Sequence, residues 1–246
     1  MEDKMGFSNA YEDRKRADAY SKLEFPGTYY LAYRDLPKII ATHVKGTDAL
    51  DFGCGTGRST RFLQKLGFNT IGVDISEEML KKAKETDPKG DYRLIPDGNF
   101  SQLKDKKFDL VLSAFTFDNI PTMEKKVKIL LEIRKLLNSY GKIVNLVCSP
   151  EIYIHEWASF STIDFPENKT AKGGDKVRII ITDTEDKRPV EDILWPPDYY
   201  RVTYEKSSLM IAKVYKPIAE QNEIYKWINE TRIAPWTIYV LQKCKT

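Results

Sequence analysis

The stretch Ala49-Leu50-Asp51-Phe52-Gly53-Cys54-Gly55-Thr56-Gly57-Arg58 constrains the fold more than any other part of the chain. A short apolar run enters a loop with glycine at every second position, and a helix is expected from Ser59 to Leu66, closed by Gly67. Glycines at this spacing allow a sharp turn and leave no Cβ between the main chain and a bound group. Free N–H groups at the start of the helix favour an anionic or carboxylate-bearing partner. A second acid, Asp74, ends the next apolar strand, Thr70-Ile71-Gly72-Val73, where a carboxylate can accept both hydroxyls of a ribose. The pattern points to a nucleoside-bearing small molecule.

The register of the glycines separates two kinds of ligand. A dinucleotide loop reads G-x-G-x-x-G and needs glycine three positions after Gly55, but that position is Arg58 and the third glycine comes early, at Gly57. Asp51, two residues before the first glycine, would also face the negative charge of a pyrophosphate. Beside a cationic amine it is comfortable. An amino acid joined to adenosine, with an ammonium and a sulfonium, suits this loop better.

These residues resemble the class I S-adenosylmethionine-dependent methyltransferases, from about Tyr11 to the C-terminus and most strongly between Ala49 and Val147. The resemblance implies S-adenosyl-L-methionine as cofactor and a Rossmann-like, doubly wound α/β sheet of seven strands. Asp51, Gly53, Cys54, Gly55, Thr56 and Gly57 match the motif around the methionine part. Asp74 and Ile75 match the ribose motif, with Met79 nearby, and Asp97, Gly98 and Asn99 fall where the family meets the adenine. Ala114 and Phe115 end the expected fourth strand, which faces the reacting methyl. Tyr11 stands where a cofactor-facing tyrosine is common, and Arg34 is a candidate partner for the cofactor carboxylate. At the junction into the fifth strand, Ser139-Tyr140-Gly141 replaces the usual Pro-Gly-Gly, which alters a turn rather than the site.

With 246 residues and 41% hydrophobic composition, the chain suits one large domain, or one with an insertion. A formal net charge of +3 calls for neither nucleic acid nor an acidic membrane. No run approaches the length of a membrane span, and the acidic start Met1-Glu2-Asp3-Lys4 does not read as a signal peptide. Cys54, Cys148 and Cys244 form neither a metal spacing nor a disulfide framework, and only His43 and His155 are present. A cytoplasmic protein without a metal site is expected, its oligomeric state unknown.

Strands are expected at Ala49–Phe52, Thr70–Val73, Tyr92–Ile95, Phe108–Ser113 and Lys142–Val147, alternating with helices in the manner of a parallel sheet. Ser76 is placed to cap a helix over Glu77–Thr86. Met123, Val127, Leu130, Leu131 and Leu137 recur at helical spacing and are expected in the core, with the intervening Lys and Glu as the solvated face. Residues 1–48 form a helical cap, with Ala32, Leu36, Ile39 and Ile40 packing on the sheet and Pro37 marking a kink or a helix start. The cofactor core then spans 49–150, a lid insertion 151–208, and two closing strands, Leu209–Tyr215 and Thr237–Leu241, fall in 209–246.

The insertion after strand five is the chain's departure from the family minimum. Val177–Thr182 and Val190–Trp195 read as a β-hairpin, and Asp198 is placed to cap a short helix through Glu205. Its position above the carboxyl ends of the strands makes it a substrate lid. Glu151 to Ser208 holds eight Lys and Arg against twelve Asp and Glu, the wrong sign for tracking phosphates. The segment Ala114-Phe115-Thr116-Phe117-Asp118-Asn119-Ile120-Pro121 also lacks the double proline of the family's nucleic-acid amine methyltransferases. A small-molecule acceptor is favoured; an RNA methyltransferase and an inactive cofactor-binding module are the alternatives.

Methyl transfer from a sulfonium is an in-line displacement, so orientation and exclusion of water matter most. His155, at the root of the lid, is a candidate base, and Asp118 and Asn119 are candidates to hydrogen-bond the acceptor or to cap the next helix. Tyr30, Trp157, Tyr199 and Tyr200 are the expected aromatic walls. The layout resembles, more loosely, the bacterial toxoflavin-pathway N-methyltransferases, which leans the reading towards a nitrogen acceptor.

Overall fold

The computed structural model describes residues 26–244. Two short helices open it, α1 (Gly27–Arg34) and α2 (Leu36–His43), broken at Asp35, with Pro37 in the first turn of α2. Proline there needs no N–H partner, so it starts the second helix rather than kinking a longer one. The core follows as β1 (Asp48–Phe52), α3 (Arg58–Lys65), β2 (Asn69–Asp74), α4 (Glu77–Thr86), β3 (Asp91–Leu94), β4 (Phe108–Ala114), α5 (Met123–Leu136) and β5 (Leu137–Cys148). Ser76 caps α4 by accepting the Met79 N–H at 3.3 Å, and Thr122 does the same for α5 from Lys125 at 3.2 Å.

After β5 come β6 (Phe160–Ser161), β7 (Lys176–Ile181), β8 (Val190–Ile193), α6 (Pro197–Lys206), β9 (Leu209–Tyr215) and β10 (Trp236–Lys243). The central sheet has seven strands in the order β3-β2-β1-β4-β5-β10-β9. Its first five strands run parallel, and β10 runs antiparallel to both β5 and β9. A separate three-stranded antiparallel sheet, β6-β7-β8, stands where the insertion was expected. The hairpin is the predicted one; β6 is an addition.

The central strands are apolar on both faces because both are covered. Leu110, Leu112, Val144, Leu146, Ile238 and Val240 share one buried cluster with α1, α2 and the small sheet. Val111, Ile143, Val147, Tyr239 and Leu241 face the opposite way, towards Leu130 and Ile133 of α5 and Tyr200 and Tyr204 of α6.

Three local expectations are corrected. The buried stripe of α5 is Lys126, Leu130, Ile133 and Leu136, while Met123 and Val127 are half-buried and Leu131 is exposed. Leu137 belongs to β5, pairing with Phe108. Asp198 lies inside the first turn of α6 with an exposed side chain and makes no cap bond; the chain enters that helix through Pro196 and Pro197, whose fixed φ already suits a helix start.

Candidate functional site

The glycine loop joins β1 to α3 with Gly53 at φ +73°, Gly55 at +52° and Gly57 at +79°. These left-handed conformations favour glycine. A Cβ on Gly53 would overlap the Thr116 side chain, whose hydroxyl donates to the Phe52 carbonyl at 3.0 Å. Gly55 is different. A Cβ there would meet only the Met79 methyl, at 3.5 Å, so the bare backbone at this point leaves room for a ligand.

Asp74 closes the loop from the end of β2. Its Oδ2 accepts the Gly55 N–H at 2.8 Å and its Oδ1 accepts the Ser76 N–H at 3.0 Å. Burial raises its carboxyl above the usual range, and the backbone donors oppose that rise. Asp51 lies fully buried beneath the loop. Its Oδ2 accepts from the Ser59 and Thr60 hydroxyls at 2.7 and 2.6 Å, and its Oδ1 has no partner among the described residues. Burial pushes this carboxyl up to about 6. A buried carboxylate oxygen without a donor costs free energy, and a hydrogen-bond donor from a bound group would relieve it.

The remaining cradle candidates surround the loop. Cys54 and Thr56 are buried within it, and burial holds the Cys54 thiol well above its usual range, so it is neutral there. Ile75 is exposed beside Asp74, and Met79 is buried in the first turn of α4. Asp97 and Gly98 lie in the short turn Pro96–Gly98, and the Asn99 Oδ1 accepts the Ser101 N–H at 3.0 Å to cap the turn that follows. Ala114 is the last residue of β4, paired with Leu146. Tyr11 lies outside the described residues. Arg34 is engaged elsewhere, with Asp35 at 2.9 Å and Glu223 at 2.8 Å, because α1 packs beside the loop that joins β9 to β10.

Phe115 links the cradle to a second site. Its φ of +61° is uncommon for a bulky residue and marks local strain at the end of β4. The Asn119 Nδ2 donates to its carbonyl at 3.0 Å and helps to hold that conformation. The Phe115 ring meets Tyr29 edge-on at 5.9 Å and Trp236 at 4.7 Å. Together with Phe160, these rings wall a cavity of about 50 Å³ between the carboxyl ends of the central strands and the small sheet. Ile179 and Ile181 of β7 close it from above.

Two acids line this cavity, Asp118 from the turn after β4 and Asp192 from β8. The Asp118 Oδ2 accepts the Cys148 N–H at 3.0 Å, and its Oδ1 accepts the Tyr200 hydroxyl at 2.9 Å. The Asp192 Oδ2 accepts the Tyr153 hydroxyl at 3.1 Å. Behind them Lys126 is 1% exposed, donates to the Phe117 carbonyl and stands 4.5 Å from the centre of the Trp195 ring. Burial raises the Asp118 carboxyl and lowers the Lys126 ammonium, while their mutual attraction opposes both shifts. Burial, reinforced by the charge of Asp118, pushes Asp192 up to about 7. Burial also keeps the Tyr153 and Tyr200 hydroxyls protonated, so both stay donors.

The other sequence candidates sit around this cavity rather than in its wall. His155 bonds Glu151 through Nε2 at 3.1 Å and meets Trp157 edge-on at 6.2 Å. Trp157 is buried and donates to the Ile152 carbonyl at 2.9 Å, holding the root of the insertion. Tyr200 supports Asp118 from behind, Tyr199 packs on Trp195 at 5.5 Å, and Tyr30 packs on Tyr225 at 5.2 Å. Asp118 and Asn119 do line the cavity, and neither caps α5, which Thr122 caps instead.

Asp192 and Lys126 were not foreseen, although each left a trace. In Val190-Glu191-Asp192-Ile193-Leu194, Asp192 takes an inward position of a period-two strand, between Val190 and Leu194. Lys126 heads an i, i+4, i+7 stripe with Leu130 and Ile133. A charged residue on an apolar stripe is the signal in both cases.

Residues 50–145 match the methyltransferase domain family. An uncharacterized methyltransferase of Geobacillus is 37% identical over 114 residues, covering 46% of this chain and 52% of the relative. The chain spans about half the length of the curated relatives it matches. Among solved structures, the CcbJ methyltransferase of Streptomyces caelestis superposes with a TM-score of 0.65 at 16% identity, over 93% of this chain and 96% of that one. An S-adenosylmethionine-dependent methyltransferase from Clostridium acetobutylicum gives 0.61 at 16% identity, over 96% of both chains. At that identity the likeness speaks for the fold. Sheet order, glycine cradle and domain match converge: residues 50–145 carry the pattern of a methyltransferase domain, and the chain as a whole has the fold of the S-adenosylmethionine-dependent methyltransferases it superposes on.

Proposed function

We propose that this protein binds S-adenosyl-L-methionine in the glycine cradle and transfers its methyl group to a small-molecule acceptor, at nitrogen, in the cytoplasm. The observation that carries the reading is the junction of the two sites just after β4: Phe115 walls the aromatic, acid-lined cavity, and the next residue, Thr116, bonds the Phe52 carbonyl at the start of the glycine loop. When bound, the cofactor supplies an electrophilic methyl on a sulfonium. Gly53, Gly55 and Gly57 leave backbone open to its methionine part, and the unpartnered Asp51 Oδ1 suits a donor from it. Asp74 serves the ribose while anchoring the loop through Gly55 and Ser76.

The small sheet acts as the lid, with Ile179 and Ile181 excluding water from the reacting atoms. Among the described residues, no group of three or more potential metal ligands is present and no helix is long and apolar enough to cross a membrane. A net charge of −4 over Glu151–Ser208 supports a small acceptor over RNA.

Methyl-labelled cofactor incubated with a metabolite extract and, separately, with total RNA tests this reading. Label in small molecules is expected. Label in RNA would establish the RNA alternative, and bound cofactor with label in neither would leave a binding module.

A further inference from the structure

The cavity under the lid holds a charge imbalance that the protein itself does not resolve. Asp118, after β4, and Asp192, on β8 of the small sheet, both line the cavity, and Lys126 is the buried amine close enough to act on both. Two carboxylates against one ammonium leave a net negative charge in a place with almost no solvent. Burying such a charge is costly, and the protein meets that cost by holding a proton on the pair or by receiving a cation. The same cavity is lined by the rings of Tyr29, Phe115, Phe160 and Trp236, a residue class that attracts cations.

From this arrangement we propose that the acceptor is a protonated aliphatic amine, drawn in by Asp192 and Asp118, and that Asp192 accepts its proton before methyl transfer. The inference rests on the methyl-transfer reading above. In the first step an N–H bond of the ammonium breaks and its proton goes to an Asp192 carboxylate oxygen, leaving a neutral amine and a neutral acid. In the second the nitrogen lone pair forms the bond to the methyl carbon. The sulfur–methyl bond breaks, its electron pair stays on sulfur as a thioether, and the product leaves as a methylated ammonium.

Several observations favour an amine over a phenol or alcohol. A phenol that gave its proton away would place a second anion beside Asp118, whereas an ammonium offsets the charge already there. Asp118 has both oxygens engaged, by Cys148 and Tyr200, and so suits recognition rather than proton transfer. Asp192 sits on the lid strand and is fixed by the Tyr153 hydroxyl. Its carboxyl, raised to about 7 by burial and by Asp118, is matched to accepting a proton near neutrality. The charged and titratable groups around it are Asp118 after β4, Lys126 on α5, Cys148 at the end of β5, Tyr153 on the following turn and Glu191 beside it on β8. Lys126 lowers the Asp192 carboxyl and the Tyr153 hydroxyl does the same; Asp118 and Glu191 raise it. Cys148, a neutral thiol held there by burial, adds no charge.

The test uses n-butylamine, with n-butanol and butyrate as neutral and anionic analogues of similar shape, titrated into the full chain saturated with S-adenosylhomocysteine. Ligand-detected NMR reports binding without any turnover. The amine is expected to bind about tenfold more tightly than the alcohol, and butyrate not at all. Because the amine stays protonated, its affinity should rise about tenfold from about pH 6 to about pH 8 as Asp192 ionises. Asp192→Asn should weaken the preference for the amine severalfold and flatten its pH dependence, with Asp118 holding what remains. Equal binding of amine and alcohol, or a flat pH profile in the wild type, overturns the proposal, and the wild-type profile decides by itself if the variant does not fold. A protein that binds S-adenosylhomocysteine but none of the probes also overturns it. A protein that does not bind S-adenosylhomocysteine overturns the underlying reading instead.

Discussion

The glycine cradle is built from one continuous stretch, Asp51 to Thr60, closed by Asp74 from the next strand, and it presents mainly backbone. The cavity beside it is built from side chains of α1, the turns after β4 and β5, the strands of the small sheet and β10. Most polar groups of the cradle are satisfied locally, and among the described residues Asp51 Oδ1 is the one buried carboxylate oxygen of the loop without a partner. In the cavity, buried acids and a buried lysine balance one another across elements far apart in the chain. A shared cofactor needs a cradle that short local sequence can specify. An acceptor pocket can vary from one protein to another by changing single side chains on several elements.

The largest effect expected from breaking this contrast is at Lys126. Lys126→Met removes a buried amine that burial lowers to about 7, beside the Asp118 and Asp192 carboxylates, which should cost about 3–5 kcal/mol of stability at about pH 6.5, where the ammonium is still charged. The cost should shrink towards about pH 5, where Asp118 and Asp192 are protonated and need no counter-charge. Denaturant unfolding at both pH values checks it, and a loss independent of pH would show that Lys126 matters only for packing.

On the cradle side, Asp74→Ala should weaken adenosyl binding by about 1–3 kcal/mol, since it removes the anchor for Gly55 together with the carboxylate proposed to accept from the ribose. Calorimetry reads this directly, and Lys126→Met should leave that affinity unchanged if the two regions are as separate as their construction suggests.

A smaller effect, of opposite sign, is expected at Asp192. Its folded-state carboxyl is raised to about 7, above the ordinary carboxylate value, so the folded protein holds a proton there that the unfolded chain has released. The stability it contributes is fully present below about pH 4 and is lost as pH rises through about 7. Asp192→Asn should therefore stabilise the ligand-free protein by about 1–2 kcal/mol above about pH 8, net of the weakened bond from Tyr153, and by nothing below about pH 4. A difference that does not change with pH would contradict the raised carboxyl.

The smallest effect is expected at His155. It is bonded to Glu151 outside the cavity wall, so His155→Ala should leave kcat within about threefold of wild type. A fall of about a hundredfold or more would restore it as the base and move the proton-transfer step away from Asp192.

The same contrast explains what could be read from the residues. Gly53, Gly55, Gly57 and Asp74 have meaning through spacing along the chain, and the strands around them carry two-sided apolar runs, so the sheet and its cradle are legible. In α5 two stripes compete at helical spacing: Met123, Val127 and Leu131 against Lys126, Leu130 and Ile133. Hydrophobicity alone chooses the first. The structure buries the second because the Lys126 ammonium finds the Phe117 carbonyl and the Trp195 ring. Nothing local to α5 announces those partners. Likewise Trp157 and Tyr200 look like pocket walls, but their polar atoms are used by Ile152 and Asp118 to hold the cavity from outside.

The central claim is that a cradle of this register takes a cationic amino-acid nucleoside and not a dinucleotide. Calorimetric titration of the purified chain with S-adenosyl-L-methionine, S-adenosylhomocysteine and NAD tests it most directly. Saturable binding of the first two at about micromolar affinity, with no heat from NAD, is the expected result. Saturation by NAD with no heat from either adenosyl ligand would contradict it.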